Sequence, residues 1–377
     1  MEKIIKKVFI VVFLLIIGFF MIGTLTKNDR ISTLERRNLA TFPKFSIEKL
    51  LTKEYYTDLT EAFKDQLVFR NHLIKGYFLF NFQRYFGDAV IGSNKQLYSA
   101  STDIYDENYY NSLRNATENV NQIANNINAK FIYLSIPRKD AYMTKDLPKN
   151  YNSSLDIYKR QTKEVKSVLN EDIIFIDALE VFQNSNIYNC YYSNDHHINV
   201  KGAYLLYKEI NRYTGTNSYD LEDTFKVKKT IVNGAYNRQL GQKVKSDEEE
   251  LYLVPKININ YTRYENDKIS KKKVYGKGNT YEDAFMEGDN AYTKIITNNN
   301  NNKRILFVGS SYTNILEALS VPSYKEVVSI DYRHNKTGKT IKDYVNENNI
   351  DYVVFVPSQS TNAFSINQIY IHLGLKK

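Results

Sequence analysis

Within ten residues, 193–202, the chain sets an acid beside two imidazoles, Asp195, His196 and His197, ahead of Ile198, Asn199 and a stretch of helical character. A carboxylate two residues before a histidine can orient that imidazole as a base. The same three groups can ligate a metal, and an acid at this place can also do no more than cap a helix. A second candidate lies at Gly309, Ser310 and Ser311, after the apolar run 305–308. A serine at a strand-to-helix turn stands among backbone N–H groups, which is what a nucleophile attacking an ester needs, although glycine and serine also make plain turns. The single cysteine, Cys190, lies near the histidines and is either a nucleophile or a buried thiol.

These residues need a scaffold, and the hydrophobic pattern supplies one. Compact apolar runs at 131–136, 173–176, 305–308, 327–330 and 352–356 read as strands. Helical periodicity at 109–130, 155–169, 200–213, 313–319 and 340–348 separates them. Strand, helix, strand with short links predicts a parallel α/β sheet of four or five strands with helices on both faces. In such sheets ligands sit beyond the carboxyl ends of the strands. Asn199 is a good N-cap for the 200–213 helix, so Asp195, His196 and His197 fall on the loop before it. Pro137 and Lys139 follow one strand, and Asp331, Tyr332 and Arg333 follow another, either lining a site or fixing a loop by an ion pair. Between about 221 and 302, alternating runs such as 251–254 and 257–261 predict an antiparallel insertion of hairpins.

With 377 residues and 42% hydrophobic content there is material for one large domain or two ordinary ones. The net charge of +9 is spread without a long basic run, which favours a solvated surface over an anionic partner such as nucleic acid, a membrane surface or an acidic polysaccharide. Lys3, Lys6 and Lys7 precede an uncharged run, 8–26, just long enough to cross a hydrocarbon core. The basic flank, 1–7, is expected in the cytoplasm and the remainder outside. Ile22-Gly23-Thr24 is only a weak cleavage signal, so an uncleaved anchor is expected rather than a removed signal peptide. One cysteine rules out an intramolecular disulfide framework. After the anchor, 27–90 reads as a helical lead-in, with an ion pair in the 65–70 segment, and 91–377 as the main domain.

Several of these segments together resemble the DHHW proteins and, through them, the SGNH-hydrolase-like alginate O-acetylation proteins of the AlgX and AlgJ kind. The resemblance is carried by the Glu35-Arg36-Arg37-Asn38-Leu39-Ala40 start, Asp65 to Arg70, Pro137 with Lys139, Asp195-His196-His197, the 234–241 stretch, Ser311-Tyr312, and Asp331 with Arg333. It implies an SGNH-hydrolase-like, flavodoxin-like fold in which Ser311 is the nucleophile, His197 the base and Asp195 the acid that orients it. His196 fills the variable position. The N–H of Tyr312 is an implied oxyanion donor, with Lys139 and Arg333 at the substrate. The resemblance further implies O-acetyl transfer to a cell-surface polysaccharide, or acetylesterase activity, without metal or nucleotide. A membrane-bound O-acyltransferase would hand over the acetyl group. Two departures stand out: the family's tryptophan after the second histidine is Ile198, and an aspartate often found before the serine is Ser310.

Two readings from other classes remain. Asp-His-His also occurs in manganese-dependent phosphoesterases, which need further aspartate motifs at separate strand ends. Alternatively, a hydrolase fold without catalysis could hold polysaccharide or cell wall through some of its 32 tyrosines.

Overall fold

The computed structural model describes residues 2–32, 37–51, 53–80, 89–99, 105–149, 151–242, 244–335 and 337–357. They fall into two units, Met1–Gly87 with Asn237–Val244, and Asp88–Tyr236 with Lys245–Lys377.

In the first unit the uncharged run lies in a 25-residue helix, α1 (Glu2–Thr26). Three helices follow in the lead-in, α2 (Ile47–Leu51), α3 (Glu54–Gln66) and α4 (Arg70–Phe80). The 65–70 segment is structural. Asp65 and Arg70 pair at 3.6 Å with both side chains buried, and Asp65 Oδ2 also accepts the Ala40 N–H at 2.8 Å. The neighbouring Gln66 amide donates to the carbonyls of Asp29 and Ala40 at 2.8 and 2.7 Å, tying α3 to the chain that leaves α1. Glu35 and Arg36 of the family-like start lie outside the described residues.

The second unit is built on one eight-stranded sheet. Its strands, in chain order, are β1 (Lys130–Ser135), β2 (Ile174–Asp177), β3 (Tyr261–Glu265), β4 (Lys268–Ile269), β5 (Tyr292–Thr297), β6 (Arg304–Gly309), β7 (Glu326–Asp331) and β8 (Tyr352–Phe355). The spatial order is β4-β3-β5-β7-β6-β8-β1-β2. The five strands from β7 to β2 are parallel, with β6 inside, as the apolar runs predict. Because side chains alternate across a strand, β6 sends Ile305 and Phe307 into one core and Leu306 and Val308 into the other. Helices cover both faces. α5 (Glu107–Asn125), α6 (Leu155–Val168) and α9 (Ile341–Asn348) supply the second core; α7 (Val200–Thr214) and α8 (Asn314–Ser320) supply the first.

The insertion is less separate than its alternating runs predict. A hairpin of Phe225–Ile231 with Glu248–Pro255 stands apart, but β3, β4 and β5 extend the central sheet, β5 pairing antiparallel with β7. Alternation reports one wet face and does not report which edge a strand joins.

Candidate active site

Gly309 closes β6, and its close packing sets the shape of the turn. A Cβ here would lie 2.5 Å from Thr313 Cγ2, so only glycine lets the chain fold back this tightly. A single 3-10 turn, Ser311–Thr313, then leads into α8, with the Thr313 N–H and hydroxyl both donating to the Ser310 carbonyl at 2.9 and 3.0 Å. The first N–H groups of such a turn have no acceptor within it. In this turn they belong to Ser311, which carries the hydroxyl, and to Tyr312, the residue after it. The Tyr312 phenol donates to the His196 carbonyl at 3.0 Å, linking the serine turn to the histidine loop.

That loop is held from several sides. Tyr191 and Ile198 pair as an isolated bridge, and Asn199 caps α7 by accepting from the N–H groups of Lys201 and Gly202. Lys139 is fully buried, and its ammonium donates to the carbonyls of Leu97, Tyr192 and Ser193 at 2.8, 2.8 and 2.6 Å. Burial pulls this lysine down to about 7, against the opposing effect of the Glu249, Asp195 and Asp146 carboxylates. Glu249 accepts from the Ser193 N–H and hydroxyl, and the Asn194 amide donates to the Val232 carbonyl and to Ser246. Gly234 presses so close that a Cβ would sit 2.2 Å from the Asn194 carbonyl oxygen. That approach lets the next residue, Ala235, donate its N–H to Asp195 Oδ2 at 2.6 Å.

Between loop and turn the three candidate residues meet. His197 Nε2 is 2.8 Å from Ser311 Oγ, and His197 Nδ1 is 2.7 Å from Asp195 Oδ1. Burial opposes charge on Asp195, but the His196 and His197 imidazoles, the His197 hydrogen bond and the Ala235 N–H hold its carboxyl well below the usual carboxylate range. An ionised carboxylate only accepts, so Nδ1 carries the proton and Nε2 is left to accept from the serine hydroxyl. The choice between the adjacent serines follows from geometry. Ser311 Oγ is the hydroxyl that meets the imidazole.

One neighbour has no signal in the local sequence. Tyr281, from a short helix Tyr281–Ala284 within the insertion, lies flat on the His197 ring, centroids 3.8 Å apart and planes 1° from parallel. The Ile315 N–H donates to its hydroxyl at 3.3 Å. Ile198 is fully buried in the core, so the aromatic wall of the base comes from Tyr281. The His196 ring lies 3.9 Å from that of His197, with its Nδ1 3.2 Å from the same Asp195 oxygen.

Other candidates are placed differently. Lys139, expected at the substrate, instead spends its ammonium on three backbone carbonyls, those of Leu97, Tyr192 and Ser193. Arg333 lies against Asp331 at 2.6 Å and Asp289 at 2.8 Å, which neutralises the carboxylates of a second acid and histidine group, Asp289, Asp331 and His334. The Asn314 amide, at the start of α8, also donates to Asp289 at 3.0 Å. Cys190 is buried with its thiol pushed up to about 12 by desolvation, so it is no nucleophile at neutral pH. Asp195, His196 and His197 could crowd a metal by distance. Both Nδ1 atoms, however, face the same carboxylate oxygen, and His197 Nε2 faces the serine, so an ion would have to displace the hydrogen bonds that order the site.

Fold and relay together define an α/β protein with a Ser-His-Asp arrangement. Solved structures with similar folds include a DHHW family protein from Eubacterium siraeum, at 20% identity and a TM-score of 0.59 over 78% of this chain and all of that one. PatB1 of Bacillus cereus, with a sulfonyl adduct, is similar at 21% identity and a TM-score of 0.59, over 74% of this chain and 98% of its own. The O-acetyltransferase domain of Pseudomonas putida AlgJ is more distant, at 13% identity and a TM-score of 0.44 over 76% of this chain and 99% of its own. No protein-family model matches the sequence, and no curated protein matches it by sequence.

Proposed function

We propose that the protein is a serine-dependent O-acetyltransferase, or acetylesterase, acting outside the cytoplasm on a cell-surface or exported polysaccharide. The observation that carries this is the continuous chain from Ser311 Oγ through His197 to Asp195, at 2.8 and 2.7 Å. His197 Nε2 takes the Ser311 proton as Oγ bonds to the acetyl carbonyl carbon. The N–H groups of Ser311 and Tyr312 face the developing oxyanion, each good donor contributing about 3 kcal/mol. Collapse expels the donor's alkoxide leaving group, which takes the proton from His197 and leaves acetyl-Ser311. A sugar hydroxyl, or water, then attacks, gives its proton to His197, and departs as the acetyl ester or as acetate while Ser311 recovers its proton.

The sugar acceptor, and a membrane-bound O-acyltransferase as acetyl donor, are proposed on the resemblance of the sequence motifs. Retention of α1 as an anchor is supported by its outer end. Thr24 is 2% exposed and accepts the Val68 N–H at 3.3 Å, packing a cleaved signal peptide would forfeit. The three lysines ahead of the apolar run favour an N-terminus inside.

The test is turnover of a chromogenic acetyl ester by the full chain in detergent, with and without an oligosaccharide acceptor, and its block by a sulfonyl fluoride. Acetate release or acetylated sugar, lost with the reagent, is the expected result. A folded protein without turnover or modification points instead to a polysaccharide-binding protein on the same fold.

A further inference from the structure

We propose that the corner between α3 and α4, residues 67–73, is seated in the outer leaflet beside α1, so that the first unit holds the bilayer by two elements. This rests on the reading of α1 as a retained anchor. The basic flank puts Thr26 at the outer end, and a helix rises about 1.5 Å per residue, so Phe19 and Phe20 lie about 10 Å inward of it. Against those two rings packs Phe69, with centroids 6.2 and 6.3 Å away. One turn further out, the Val68 side chain approaches to 3.1 Å of where a Cβ on Gly23 would be. The corner thus runs alongside the last two turns of α1. Where those turns are in lipid, the corner is too.

Its chemistry suits that place. Phe69 and Leu73, one helical turn apart, are 52% and 50% exposed, large apolar side chains that nothing in the described unit covers further. The charged pair Asp65 and Arg70 is turned inward. Backbone at this depth must be satisfied internally, and the N–H groups of Val68, Arg70 and Leu73 donate to Thr24 Oγ1, Leu67 and Phe69 respectively. Phe69 adopts φ +60°, a conformation an aromatic residue rarely takes, at the point where its ring meets α1. Asn71 and His72, also exposed, put the outward side of the corner at headgroup depth while the Phe69 ring reaches inward.

The protein has no tryptophan, so single-tryptophan variants report one position each. Full-length Phe69→Trp and Leu73→Trp are placed in phosphatidylcholine and phosphatidylglycerol nanodiscs carrying shallow or deep bromine on the acyl chains, with Phe13→Trp marking the middle of α1. The expected result is blue-shifted emission from both corner variants, quenched about twofold by shallow bromine and untouched by aqueous iodide. Quenching of Phe13→Trp by deep bromine, with both corner variants quenched only by iodide, leaves the anchor in place and overturns the seated corner. Corner variants shielded from bromine and iodide alike overturn lipid as the occupant in favour of protein. If Phe13→Trp is itself unquenched, or the chain is recovered without its first residues, the anchor reading fails and the proposal with it.

Discussion

The described residues contain two groups of carboxylate and imidazole, and they differ in what faces the acid. At Asp195 the neighbours are two histidines and the backbone N–H groups of His197 and Ala235, all of which favour an ionised carboxylate while leaving a ring nitrogen free for Ser311. At Asp289 and Asp331 a guanidinium lies on both carboxylates. The same residue types therefore make a polarised base in one place and a closed ion-pair cluster in the other. Residue identity nominates a site; the partner of the acid decides what it can do.

The strongest way to break this contrast is Asp195→Asn. The amide cannot hold the Nδ1 proton as a carboxylate does, and kcat on an acetyl ester is expected to fall about 10⁴-fold. Stability should respond with a definite sign. Because the folded Asp195 carboxyl lies below its unfolded value, its contribution is present at neutral pH and is lost as pH falls below about 4. The gap in unfolding free energy between wild type and Asp195→Asn should narrow over that range in urea titrations.

Lys139→Met comes next. It leaves three buried carbonyls without their donor, and a loss of about 3 kcal/mol is expected in urea unfolding of the full chain, together with lower turnover from a loosened loop.

Tyr281 sharpens the comparison within the site. Tyr281→Leu removes the ring stacked on His197 and should lower kcat/KM about fivefold with an altered pH profile, whereas Tyr281→Phe keeps the ring and stays within about twofold.

Much of this was legible in the sequence. The apolar runs of β1, β6, β7 and β8 are buried on both faces and announce themselves without alternation, and Asn199 marks the start of α7. The Asp195, His197 and Ser311 candidates are readable because each sits at a loop-to-helix junction. Tyr281 is not, because its role is a contact between segments far apart in the chain and its own surroundings read as a polar hairpin. Lys139 misleads for a related reason. A lysine after a strand looks like a ligand for substrate until burial and three carbonyls show where its charge is spent.

Among the truncations, the smallest effect is expected at the second group. Arg333→Ala should change small-ester turnover by less than about threefold, since its guanidinium is committed to Asp289 and Asp331; a larger loss measured in the same assay would join that cluster to the chemistry.

The most direct measurement of the central claim is peptide mapping by mass spectrometry after incubating the full-length protein with an acetyl ester and quenching in acid. Acetyl on Ser311 in the wild type, with neither adduct nor turnover in Ser311→Ala, is the expected result. Turnover that survives in Ser311→Ala, or acetyl found instead on Ser310 or Cys190, would contradict it.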